Sequence, residues 1–134
     1  MTKTLNISTS KRQEFIDITA KVEQALSKAK IDTGFCVIFC PHTTAALTIN
    51  ENADPSVRRD IIEHLQSLVP YNKGYAHSEG NSDAHIKASL MGFSLNVIIE
   101  SGSLQLGTWQ GIYFCEFDGP RQRQVYLSFI KGEV

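Results

Sequence analysis

The sequence predicts an α+β protein, and three observations carry that prediction. Segments with strand-like patterning outnumber those with helical periodicity. The last three strand-like segments are joined by connections too short for the long crossover a parallel pair requires, which favours antiparallel pairing. The chain's 134 residues fit one core, so residues 1–134 are read as a single domain with two or three helices.

"KTLNIST" alternates Leu5 and Ile7 with polar neighbours, and "EFIDI" supplies Phe15, Ile16 and Ile18, giving two early strands. Thr19 is placed to cap a helix in which Val22, Ala25, Leu26 and Ala29 recur at i, i+3, i+4 and i+7. Gly34 follows it. "FCVIFC" is continuously apolar, as expected of a central strand buried on both faces and ending at Pro41 and His42. "AALTINEN" reads as the next strand. In "DPSVRRDIIEHLQSLVP", Asp54 is an N-cap, Pro55 takes the first helical position, and Ile61, Leu65 and Leu68 form one stripe. After "YNKGYAHSEGNS", Ser82 or Asp83 can cap a short helix reaching Leu90, with Gly92 ending it. "FSLNVIIE", "GIYFCEF" and "QVYLSFI" complete the strands, separated by the turn-rich "SGSLQLGTWQ" and "DGPRQR".

The formal net charge of −1 argues against general attraction to nucleic acid or an anionic membrane, so an anionic ligand must be caught by a few placed residues. The polar start and the lack of any apolar run of membrane-spanning length predict a cytoplasmic protein. Cys36, Cys40 and Cys115 lie in apolar segments without a C-x-x-C pair and are expected to be buried free thiols.

Chemistry concentrates in three stretches. His64 falls off the apolar stripe of its helix and reads as a surface residue. His42, His77 and His85 stand at the ends of elements, where neutral imidazoles can meet around a divalent metal or simply hydrogen-bond nearby oxygens. Glu79 and Asp83 can orient those imidazoles or supply an oxygen ligand. In "NENADP", Glu51 has no structural assignment and is a candidate general base or metal ligand, with an exposed turn position as the alternative. In "GTWQGIYFCEFDGPRQR", Trp109 can stack on a planar heterocycle, Gln110 can read its edge, and Arg121 can grip a phosphate. Glu116 and Asp118 share a strand face, with Arg121 across the turn, and Arg123 is expected on an exposed face.

"HTTAALTINENADP", "HSEGNSDAHIKASLMG" and "LQLGTWQGIYFCEFDGPR" resemble the signature segments of the YjbQ-like family, whose members are commonly described as secondary thiamine-phosphate synthases. The resemblance spans essentially the whole chain. It implies a β-sandwich-like core, a homotrimer, and a polar site near the subunit interfaces. It also implies that His42, His77 and His85 hold a divalent metal, zinc or magnesium. Glu51, Glu79 and Arg121 are then expected to carry catalysis, and Thr43, Asn81, Trp109, Gln110 and Asp118 to bind a small phosphorylated substrate. The reaction implied joins an aminopyrimidine methyl diphosphate to a thiazole phosphate with loss of pyrophosphate. Metal-assisted hydrolysis of a phosphoester, and metabolite capture without chemistry, use the same residues and stand as alternatives.

Overall fold

Alternating apolar residues build two antiparallel sheets that share one interior. The computed structural model describes residues 2–132. In order the elements are β1 (Thr2–Ser8), β2 (Glu14–Asp17), α1 (Thr19–Ala29), β3 (Gly34–Phe39), β4 (Ala45–Glu51), α2 (Pro55–Leu68), α3 (Ser82–Met91), β5 (Ser94–Glu100), β6 (Ser103–Leu104), β7 (Gln110–Glu116) and β8 (Gln122–Lys131). One sheet runs β1-β8-β3-β5-β6 and the other β2-β7-β4. The antiparallel expectation holds, but β5, β7 and β8 do not pair with one another: β7 joins β2 and β4, whereas β8 lies between β1 and β3.

Side-chain alternation explains the layering. Ile7, Cys36, Ile38, Val97, Ile99, Val125 and Leu127 point inward from the five-stranded sheet and meet Ala45, Leu47, Ile112 and Phe114 of the three-stranded one. Helix α1 adds Val22, Ala25 and Leu26 to this core. The opposite face of the three-stranded sheet packs Phe15, Ala46, Tyr113 and Cys115 against Leu65 of α2 and Ala84 and Ala88 of α3. Strand β7 is therefore covered on both faces.

Four local expectations change. Strand β3 is central but buried on one face only: Cys36 and Ile38 are fully enclosed, while Phe35 and Phe39 on the alternate face are about two-fifths exposed (40% and 38%). Thr19 begins α1 without capping it: its hydroxyl donates to Asp17 and accepts the Ile112 N–H. The residue before α3 is Asn81, whose side chain reaches Asp118 instead of the helix, and Asp83 is buried inside that helix's first turn. In α2 Leu65 is buried but Leu68 is exposed, while the Asp54 cap holds, accepting from the Ser56 N–H at 2.9 Å.

All three cysteines are buried free thiols, and desolvation pushes Cys36 up to about 12. Gly34 permits the tight β3–β8 approach, because a Cβ there would overlap the Ile130 carbonyl. Among the described residues no helix is long and apolar enough to cross a membrane.

Candidate functional site

The β4–β7 ladder fixes where the candidate residues can stand. Ala45 pairs with Glu116 at one end and Glu51 with Gln110 at the other, six residues along. At about 3.3 Å per residue the ends lie roughly 20 Å apart.

At the first end a polar network ties the two sheets together. Glu116 on β7 and Arg123 on β8 alternate inward with Phe114 and Val125, so both charged groups enter the interior. Arg123 Nε donates to Glu116 Oε1 at 2.8 Å, its Nη2 reaches Oε2, and Nη2 also donates to the Thr44 hydroxyl at 2.8 Å. Thr9 donates to Glu116 Oε1, and the Asp118 N–H donates to Oε2 at 3.0 Å. Burial alone would raise the Glu116 pKa, yet these donors overcome it and hold the carboxyl below its ordinary 4.5. Arg123 is thus not on an exposed face, as expected from sequence, but 5% exposed. The signal was present: Arg123, Val125 and Leu127 share one period-two face.

Asp118 connects this buried pair to the surface. Its carboxylate accepts from Asn81 at 2.8 Å and from Arg121 Nη2 at 3.1 Å, and its carbonyl accepts from Arg121 Nε at 2.7 Å. The Arg121 backbone is clamped by Thr9, whose hydroxyl accepts the Arg121 N–H and whose N–H donates to the Arg121 carbonyl. Arg121 keeps a half-exposed side chain (53%). The expected closeness of Glu116, Asp118 and Arg121 is what the fold produces, although the cation paired with Glu116 is Arg123.

His85 stands one helical turn beyond Asn81. Its ring meets that of His77 edge to face, centroids 5.4 Å apart, and Glu79 lies 3.8 Å from His77 Nε2. His85 also lines a cavity of about 240 Å³ with His42, Thr43, Ser89 and Phe93. His42 is anchored differently: its Nε2 lies 2.9 Å from the Gln124 N–H that donates to it and 3.1 Å from the Gln124 carbonyl. Desolvation, helped by Arg123, lowers its pKa below 6.5 and keeps the ring neutral at pH 7. Among the described residues no three His, Cys, Asp or Glu side chains are gathered as a metal-binding group. His85 is the member that borders both other histidines.

Asp83 does not orient the imidazoles. It is fully buried and takes both Arg12 Nη groups at 3.1 and 2.9 Å, together with Lys87 at 3.3 Å. Sequence reasoning missed Arg12, since pairing across 71 positions leaves no local pattern, and also Lys87, although its i,i+4 spacing from Asp83 on one helix was a readable signal.

The other end of the ladder holds Glu51, Trp109 and Gln110. The Glu51 carboxylate accepts the Asp54 N–H at 3.2 Å and its carbonyl accepts the Tyr113 hydroxyl, which ties Glu51 to the entry of α2. Gln110 Oε1 accepts the Gly107 N–H at 2.7 Å, while the Trp109 ring is 63% exposed and open to stacking. One chain therefore carries the expected site residues as two separate groups.

Residues 3–132 match the model of the UPF0047 protein YjbQ-like family. The UPF0047 protein YugU of Bacillus subtilis is 53% identical over 131 residues, covering 97% of this chain and 99% of that protein. A UPF0047 protein of Methanocaldococcus jannaschii is 56% identical over 124 residues, 92% of this chain and 90% of its own length. Among solved structures, an uncharacterised YjbQ/UPF0047 family protein from Clostridium acetobutylicum superposes with a TM-score of 0.94 at 55% identity, covering 96% of this chain and 99% of that one. A hypothetical protein from Aeropyrum pernix gives the same TM-score at 36% identity, covering 98% and 99%. The chain belongs to the YjbQ-like UPF0047 family.

Proposed function

We propose that the protein is a cytoplasmic, metal-dependent enzyme of the thiamine-phosphate synthase type, working as a homotrimer on small phosphorylated substrates. The observation that carries this reading is the preorganised Arg121 fork. Its Nε and Nη2 are held by Asp118, its backbone by Thr9, and its partly exposed guanidinium stands one hydrogen-bond relay, through Asp118 and Asn81, from the helix bearing His85. A cation fixed in this way suits a departing diphosphate, with the Nη1 donors that Asp118 does not engage left for phosphate oxygens.

Support for a divalent ion comes from a pair of imidazoles, not from a gathered set of three ligands among the described residues. His77 and His85 present adjacent rings, His42 is held neutral across a shared cavity from His85, and Glu79 is within reach of His77. His77 and His85 would hold it, with His42 and Glu79 as the remaining candidates. The ion would supply Lewis-acid neutralisation of phosphate oxygens. Arg121 binds the phosphate and Asp118 keeps it oriented. Thr43 and Asn81 offer further polar contacts at this end.

Trimer formation supplies what one chain lacks. Glu51 and Gln110, with Trp109 beside them, sit roughly 20 Å along the ladder from Glu116, beyond which the turn carries Arg121, so a site using both groups needs the second from a neighbouring subunit. The outer face of the five-stranded sheet offers a surface for that assembly. Phe35 is registered between Ile98 and Ile130, and Phe39 pairs with Tyr126, with exposures from 36% to 63%. A contiguous apolar patch of this kind marks a contact surface. Within such a site Trp109 would stack on the aminopyrimidine, Gln110 would face its edge, and Glu51 would manage a proton.

Elemental analysis of chelator-free protein tests the metal component: about one divalent ion per chain, lost in a His77→Ala, His85→Ala double variant, is the expected result. Requirement for the thiazole partner in pyrophosphate release separates synthase from hydrolase.

A further inference from the structure

A second polar cavity lies on the other side of α3 and uses none of the residues assigned above. It measures about 540 Å³ and is lined by Lys11, Arg12, Gln13, Gln66, Tyr71 and Lys87, together with Pro70. That volume is within the ordinary range of small-molecule sites.

Its charge is unbalanced. Three cations line it, and Asp83, set behind Arg12 and Lys87, is the carboxylate that both contact. Glu14, the acid nearest Lys11 in the chain, is engaged by the Ser10 and Lys11 N–H groups. Lys87 is fully buried, and its bond to Asp83 uses one of three ammonium protons. A buried cation is costly without full compensation, so two cations sharing one carboxylate favour an added anion. Burial lowers the Lys87 pKa from its ordinary 10.5, in keeping with this incomplete pairing.

Two more features point to a ligand. Gln13 donates to Asp83, which turns its Oε1 into a shielded position with no hydrogen-bond partner among the described residues. A buried acceptor without a partner calls for one from outside the chain, reached by a small movement of the Gln13 amide toward the cavity. Tyr71 forms a wall, one face covered by the Arg12 guanidinium at 3.8 Å and the ring still 57% exposed.

We infer that this cavity is a binding site for a small metabolite carrying an oxyanion, phosphoryl or carboxylate, held by Lys11, Arg12 and Lys87, with a hydrogen-bond donor for Gln13. The inference is independent of the catalytic reading, since neither the histidines nor Arg121 take part.

The test is an amide NMR titration of the full chain with inorganic phosphate and, separately, acetate. Saturable shifts are expected at Lys11, Arg12, Gln13 and Tyr71, distinct from any at Arg121 or His85. Lys11→Glu, a surface charge reversal, and Lys87→Gln should each raise Kd at least about tenfold, the scale of one lost charge-assisted hydrogen bond. Should Lys87→Gln fail to fold, Lys11→Glu decides alone. Response to phosphate only identifies a phosphoryl ligand; response to acetate only identifies a carboxylate. Shifts confined to Arg121 and His85, shifts that do not saturate, or a folded Lys11→Glu protein that titrates like wild type would overturn the inference.

Discussion

Arg123 and Glu116 face each other from opposite sheets inside the sandwich, bonded through both guanidinium Nε and Nη2, with side chains 5% and 0% exposed. The pair pins β8 to β7 at the end where Asp118 and Arg121 emerge. It couples the interior to the candidate site, since Glu116 also accepts the Asp118 N–H.

Removing one partner leaves the other charged and enclosed. Arg123→Met or Glu116→Gln should each destabilise the fold by about 3–5 kcal/mol, whereas the double variant should cost less than the sum of the two. Urea unfolding of the three variants measures this. Strict additivity would show that the pair is not coupled.

Stability should fall at acid pH with a definite sign. Glu116 is held below 4.5 and Asp83 below 3.8, in each case because charged partners outweigh the upward push of burial. Their unfolded forms therefore bind protons first as pH drops. The stabilisation is complete above about pH 5 and is lost as pH falls through the unfolded values toward the depressed folded ones. Urea midpoints followed downward from about pH 6 should show a shallower acid decline in Glu116→Gln than in wild type.

His42 adds to the same acid trend at higher pH, because its folded pKa is also lowered. Desolvation and the nearby Arg123 keep it neutral, so its NMR titration midpoint should lie below 6.5. Protonation of the unfolded chain below that pH then disfavours folding. Arg123→Met should move the His42 midpoint upward.

The apolar outer face predicts assembly. Ile98, 63% exposed and paired with Phe35, is the position where a charge does least harm to the isolated chain. Sedimentation should find wild type as a trimer and Ile98→Arg as a folded monomer; a trimeric Ile98→Arg protein would place the contact elsewhere.

Much of this was legible in the sequence for identifiable reasons. Period-two alternation located the strands, and Asp54 followed by Pro55 located α2, because these signals are local. The run "FCVIFC" announced a central strand but not whether its second face is covered by its own chain, since hydrophobicity does not name the covering partner. Arg123 was misread because charge was taken as exposure, when the alternation with Val125 and Leu127 already pointed inward. The Asp83–Lys87 pair was legible as i,i+4 spacing on one helix, but its burial, the arrival of Arg12 and the distance between Glu51 and Arg121 depend on tertiary placement, which spacing along a chain does not encode.

The most direct test of the catalytic account is turnover with the aminopyrimidine methyl diphosphate, the thiazole phosphate and a divalent metal, reading thiamine phosphate and pyrophosphate together. The account predicts equal amounts of both products, no pyrophosphate release without the thiazole phosphate, and a fall of about 10²-fold or more in Arg121→Ala, the scale of losing one preorganised charge-stabilising donor. Pyrophosphate release that ignores the thiazole phosphate, or product formation no greater than that of His85→Ala, would contradict it.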